Sequence, residues 1–299
     1  MKELWSMLAG LLITVGLGSL SACKSQPSAP PSTGSRAAGS EPAQAPETHP
    51  VWDLRSRWRD QKPEEFEAAW RLVDKAVAAM GGTAVVDGVK TLVLTGKVLQ
   101  RSPLGEYTAA VTTTILYPAS VRRDVTLPTG GTVSSVFTPE GTFMTGALGT
   151  FELGQAERDR LEASAMRIPI SLLKSRYHRL FRASVGAPPP PGVPGEAFHI
   201  RIATQETEVL LDAEGRIVQV SYEGTSPFDA SKKEHLRVVY SEFRNVTGLT
   251  FPFASEGWIG EEKVSTGQLD SVRVNEAVPA ELFTMPSREI APAPTPTFR

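Results

Sequence analysis

The chain has 299 residues, with 31 lysines and arginines against 33 aspartates and glutamates, a formal net charge of −2. That balance offers no basic field of the kind that drives nucleic-acid binding. Hydrophobic residues make up 40 % of the chain and cysteine occurs once, so a folded core must hold by packing, without disulfide staples.

The chain opens with Met1-Lys2, whose single positive charge is weakened by Glu3, and runs from Leu8 to Leu20 almost wholly through apolar residues (LAGLLITVGLGSL). This run has the length and position of a signal-peptide core and is too short for a comfortable membrane span. The single cysteine, Cys23, follows directly. It has no partner for a disulfide, no ligands around it for a metal, and no folding segment to make a reactive pocket. Attachment is the reading left. The string Leu20-Ser21-Ala22-Cys23 resembles the lipobox of bacterial lipoproteins. That resemblance implies cleavage after residue 22 and acylation of Cys23. Two or three acyl chains would anchor it stably, where one alone is marginal. The same resemblance implies inner-membrane retention where an aspartate follows the cysteine, so Lys24 leans towards the outer membrane.

Residues 24–50 are rich in Pro, Ser, Ala and Gly without periodicity and read as a flexible tether. The about 40 residues from Cys23 to Pro63 span ~35 Å as a coil. Four segments follow from this reading: a leader over 1–22, the acylated cysteine and tether over 23–62, a folded domain over 63–286, and a disordered tail over 287–299.

Pro63 suits a helix's first turn, and Glu64 and Glu65 its positive end. Phe66, Trp70, Val73, Val77 and Met80 then form one apolar stripe that ends at Gly81-Gly82. The sequence TAVVDGVK predicts a short helical turn. The period then changes to two. Leu92, Leu94, Gly96 and Val98 share one side, and so do Tyr107, Ala109, Val111, Thr113, Ile115 and Tyr117. These are antiparallel strands, with further short ones in SVRRDVTL, GTVSSVF and GTFMTG. Residues 154–180 return to helix: a charged segment with a thin stripe of Leu161, Ala165 and Met166, then IPISLLKSRYHRLF. GAPPPPGVPG is a stiff loop. The remainder is a strand meander with hairpin turns at Asp212–Gly215 and Asn245–Gly248. The fold class is α+β, one curved antiparallel sheet with helices on its concave face.

Three strings in this order carry a resemblance: VDKAVAAMGG…VDGVKTLVLTGKV, then LLDAEGRIVQVSY with VVYSEFRNVTGLTFPFASEG, then VRVNEAVPAELFTMP. Together they resemble the LolA/LolB-like lipoprotein-sorting proteins over about 63–286. The resemblance implies an incomplete β-barrel with a hydrophobic cavity for acyl chains of lipids or lipoproteins. The lipidated members of that group carry an exposed leucine on a protruding loop, and Leu104 in RSPLGEY is the candidate counterpart.

Chemistry is not advertised. The four histidines have no partner at ligand spacing, and no HExxH or GxSxG string occurs. No cofactor, metal or nucleic-acid partner is expected, nor catalysis. One of Arg122 and Arg123 is a candidate for meeting a lipid head group. The candidate lining of an acyl cavity is Val111, Ile115, Val125, Val136 and Phe143 from the first strands. Leu210, Val220 and Val238 come from the later ones, and Leu172 and Leu173 from the helical cover. These residues serve equally as ordinary core. The expectation is a monomeric lipoprotein of the cell envelope, anchored in the outer membrane and facing the periplasm, that binds acyl chains. The alternative is a structural or regulatory envelope lipoprotein that binds a protein partner. It would show a filled barrel and an exposed patch around Phe251, Phe253 and Trp258.

Overall fold

A computed structural model describes residues 63–285, apart from 103–104, 179–180, 190–193, 203–204, 227 and 229–231. Two helices come first, α1 (Pro63–Ala79) and α2 (Thr83–Gly88). Six strands follow: β1 (Thr91–Ser102), β2 (Gly105–Leu116), β3 (Ser120–Thr126), β4 (Thr132–Phe137), β5 (Thr142–Gly146) and β6 (Gly149–Glu152). Helices α3 (Gln155–Met166) and α4 (Pro169–Lys174) and a 3-10 turn over Ser175–Tyr177 separate them from the rest. Seven more strands complete the sheet: β7 (Phe181–Val185), β8 (Glu196–Ile202), β9 (Gln205–Leu211), β10 (Ile217–Thr225), β11 (Lys233–Val246), β12 (Leu249–Ile259) and β13 (Glu262–Val274).

All thirteen strands form one antiparallel sheet in the order β6-β5-β4-β3-β2-β1-β13-β12-β11-β10-β9-β8-β7. Two meanders are thus joined where β1 pairs with β13, with Leu92 opposite Val274 and Gln100 opposite Ser265. The sheet does not close: β6 and β7 are its edges. The chain between those edges is the helical segment of α3 and α4. Among the close approaches that glycines permit, two join distant parts of the chain. A Cβ on Gly96, at the β1–β13 register shift, would lie 2.2 Å from Gln268 O. Gly81 has φ +118° and would meet Gly248 O at 2.3 Å, at the point where the end of α1 docks on the β11–β12 hairpin through Thr250 N donating to Met80 O.

The core lies on the inner face of the sheet under the helices. Helix α1 contributes Val73, Val77 and Met80, as its stripe predicts, while Phe66 is 42 % exposed and stacks edge-on against Trp70. Helix α4 is only six residues long but buries five of them, so packing holds it, not propensity. Pro169 opens it and Ile170, Leu172 and Leu173 are buried against β7–β12 residues in the same cluster. The β7–β13 half is filled, with Phe198, Ile200, Val209, Leu211 and Ile217 almost wholly enclosed.

The outer face is also partly covered. The 3-10 turn Ala280–Phe283 lies against β3, and Arg122 Nη1 donates to Leu282 O at 2.9 Å. Apolar residues on β4 and β5 occur on both faces, so strand alternation there does not reveal which side is inner.

Candidate functional site

A cavity of about 400 Å³ lies between α3–α4 and β2–β4. Its floor is a single cross-strand row, Ile115 on β2, Val121 on β3 and Phe137 on β4. The turn Tyr117-Pro118-Ala119 closes one end, and Ala165 and Met166 of α3 form the roof. The cavity exists because α3 lacks apolar bulk. Its sequence QAERDRLEASAM offers small Ala165 and charged Glu162 to this space, where α4 fills its own part of the core with Leu172 and Leu173.

The mouth is polar. Asp87, at the end of α2, holds Arg176 and Tyr177 together: Arg176 Nη2 donates to Asp87 Oδ1 at 2.6 Å, and the Tyr177 hydroxyl donates to Oδ2 at 2.7 Å. Arg176 is buried and Tyr177 is 68 % exposed. The bond to Asp87 is the main cause of a raised Tyr177 pKa. Lys174 Nζ donates to Val86 O at 3.2 Å and Asp87 O at 3.1 Å, and lies 5.0 Å from the centre of the Tyr117 ring. Desolvation lowers the Lys174 pKa, against the pull of Asp87. Tyr117 hydrogen-bonds Ser171 across the cavity wall at 2.9 Å, and burial keeps its phenol protonated well beyond the usual range. These bonds tie the helical cover to α2 and to the β2–β3 turn.

A second cavity of about 50 Å³ is lined by Leu94, Val111, Ile168, Tyr240, Phe251 and Phe253, among others. It is several times smaller than the first.

The predicted lining residues divide accordingly. Ile115 is on the floor of the larger cavity, and Val111 touches the smaller one. Leu172, Leu173, Val220 and Val238 belong to the filled core, and Val125 packs in a separate cluster with Val98, Ala109 and Val111. Three positions differ from the expectation. Val136 and Phe143 pair across β4 and β5 and are buried on the outer face, opposite to their neighbours Phe137 and Met144. Leu210 is half-buried and points away from the core that Val209 and Leu211 enter. In the run Val209-Leu210-Leu211 all three residues are apolar, so the sequence does not set the phase.

Of the two arginines, Arg122 is on the outer face, bound to Asp124 and Ser134. Arg123 faces inward and is buried, its pKa lowered to about 10 by desolvation, an effect that nearby Tyr107 opposes. Neither lines the larger cavity; the cation at its mouth is Lys174. Lys174 escapes sequence reasoning because it ends a helix whose other residues read as plain core. The expected patch at Phe251, Phe253 and Trp258 is absent, since both phenylalanines are core residues and Trp258 lies under Arg237. Cys23 and Leu104 lie outside the described residues. Among the described residues, no three His, Cys, Asp or Glu side chains group to hold a metal.

No family model matches the chain, and no curated protein does. Solved structures do match in fold. A domain assigned to outer membrane lipoprotein sorting from Vibrio parahaemolyticus superposes with a TM-score of 0.50 at 9 % identity, covering 73 % of this chain and 96 % of that one. A LolA superfamily protein from Nitrosomonas europaea gives 0.50 at 10 % identity, covering 73 % and 97 %. A DUF1329 family protein from Desulfovibrio piger gives 0.51 at 9 % identity, covering 72 % and 97 %. At this identity the likeness establishes the fold: an open antiparallel sheet with helical cover.

Proposed function

We propose that this chain, which has the LolA/LolB-like fold, is a lipid-anchored protein of the bacterial cell envelope that binds an acyl chain between its helical cover and β2–β4. The observation that carries this reading is the about 400 Å³ cavity, which falls within the range of small-molecule sites and has the apolar floor Ile115, Val121 and Phe137. An acyl chain needs a dry slot and no chemistry. The cavity offers an apolar floor under Ala165 and Met166, with Asp87, Lys174 and Tyr177 at its mouth and Ser171 and Glu162 also in its lining.

Three supports converge. The leader and Leu20-Ser21-Ala22-Cys23 string fit a lipoprotein whose anchor is Cys23. The tether would let the domain stand off the outer membrane on its periplasmic side. Two of the fold's solved relatives carry lipoprotein-sorting or LolA superfamily names. The place suggested for the protein-partner alternative's exposed patch does not supply one, since Phe251 and Phe253 are buried.

Native mass spectrometry on the chain from residue 24 onward, purified without detergent, tests the reading. The expected result is a co-purifying or readily taken-up mass of an acyl lipid in one-to-one ratio. A clean apo mass that offered lipids do not change would overturn it. In the producing bacterium, labelled palmitate should enter the full chain and be lost from Cys23→Ser.

A further inference from the structure

The cavity's mouth carries a cation whose bonding is incomplete. A lysine ammonium has three donors. On Lys174 two are taken by the carbonyls of Val86 and Asp87. Among the described residues no side chain takes the third, and Asp87 gives Oδ1 to Arg176 and Oδ2 to Tyr177. Glu162 stands on the same wall with an exposed side chain, free to remain in water. Lys174 itself lines the cavity, beside Ser171 and Tyr117, and its ammonium is already partly desolvated. A partly desolvated ammonium with a donor to spare, at the polar end of an apolar slot, suits an anion that arrives attached to a hydrocarbon.

We infer that Lys174 is the head-group anchor of the site and that its ligand is a single-chain amphiphile with an anionic head, a carboxylate or a phosphate. The inference rests on the acyl-binding reading above and adds the ligand's class to it. About 400 Å³ is at the small end of ligand-sized cavities, which favours one chain over the several carried by an acylated lipoprotein. The head would sit against Lys174 Nζ, and the chain would run over Ile115, Val121 and Phe137 under Ala165 and Met166.

The test uses the chain from residue 24 onward and three palmitoyl-length probes below their micelle concentrations: hexadecanoate, palmitoyl lysophosphatidylglycerol and neutral hexadecanol. The native protein should bind at least one anion on the order of tenfold more tightly than hexadecanol, the gain of a charge-assisted hydrogen bond. Lys174→Met should erase that preference and leave hexadecanol binding in place, and Lys174→Arg should keep it. Tighter binding of hexadecanoate names a free fatty acid as the source, and tighter binding of the phosphate probe names a lysophospholipid; both support the anchor. Equal binding of all three by the native protein overturns the anchor and leaves the acyl cavity standing. Failure of all three to bind overturns the acyl reading itself. A lysine that only caps the end of α2 would show as a Met variant of lower stability with unchanged preference, which also overturns the inference. Should the Met variant not fold, Lys174→Gln, which keeps a donor for the Val86 and Asp87 carbonyls without the charge, takes its place: loss of the anion preference supports the anchor and its survival overturns it.

Discussion

Tyrosines record how dry the inner face is. Tyr240 is buried and Tyr117 half-buried, and desolvation holds both phenols above their ordinary range; Tyr107 is pushed up to about 12, chiefly by the same desolvation. In the unfolded chain each releases its proton near the ordinary value of 10. The folded state therefore binds more protons than the unfolded one above that value, so the stability these phenols contribute is intact below pH 10 and is lost as pH rises through their folded values. Absorbance of phenolate during an alkaline titration should show Tyr107, Tyr117 and Tyr240 still protonated at about pH 11 and ionising only as the chain unfolds. Ionisation of all five tyrosines together near pH 10 would contradict the burial described here. At this scale the sequence was a good guide where alternation was strict, as from Ala109 to Ile115, whose odd-numbered residues are all buried. It failed at Val136, Phe143 and Leu210, where neighbours are apolar too and only the three-dimensional cover decides which face is inner.

The two cover helices do different work, although both lie between the sheet's edges. Helix α4 is a plug: Leu173 is fully buried in the main cluster, and truncating it leaves a void that the well-packed β7–β13 half cannot collapse. Leu173→Ala should cost about 2–5 kcal/mol in urea denaturation. Helix α3 is a roof over empty space. Ala165→Trp should fill that space, change stability by about 1 kcal/mol or less, and abolish acyl binding. If the Trp variant is as unstable as the Leu173 variant, the space under α3 is not available to a ligand. The helices themselves were legible from period and turn signals, including the thin stripe of Leu161, Ala165 and Met166. That the thin stripe means a cavity was not legible, because it depends on what α4, α2 and the β2–β3 turn leave unfilled.

The molecule as a whole is a sheet that turns back on itself without closing, joined at β1–β13 and spanned across its open edges by helices. The order helix, strands, helices, strands carries the two meanders and the helical segment between them, but not their junction: β6 could as well have met β7, and the β1–β13 pairing is seen only in the structure. What the order of elements does not carry is the division of the interior. One half is packed solid by α1 and α4, and the other keeps about 400 Å³ with Lys174, Asp87 and Tyr177 at its mouth. The central claim is that an acyl chain occupies that half. A diazirine-bearing fatty acid, photolysed on the chain from residue 24 onward and mapped by peptide mass spectrometry, tests this most directly. The account predicts labels on Ile115, Val121, Phe137, Ala165 or Met166, competed away by unlabelled palmitate. Labels confined to other surfaces, or labelling that palmitate does not reduce, would contradict it.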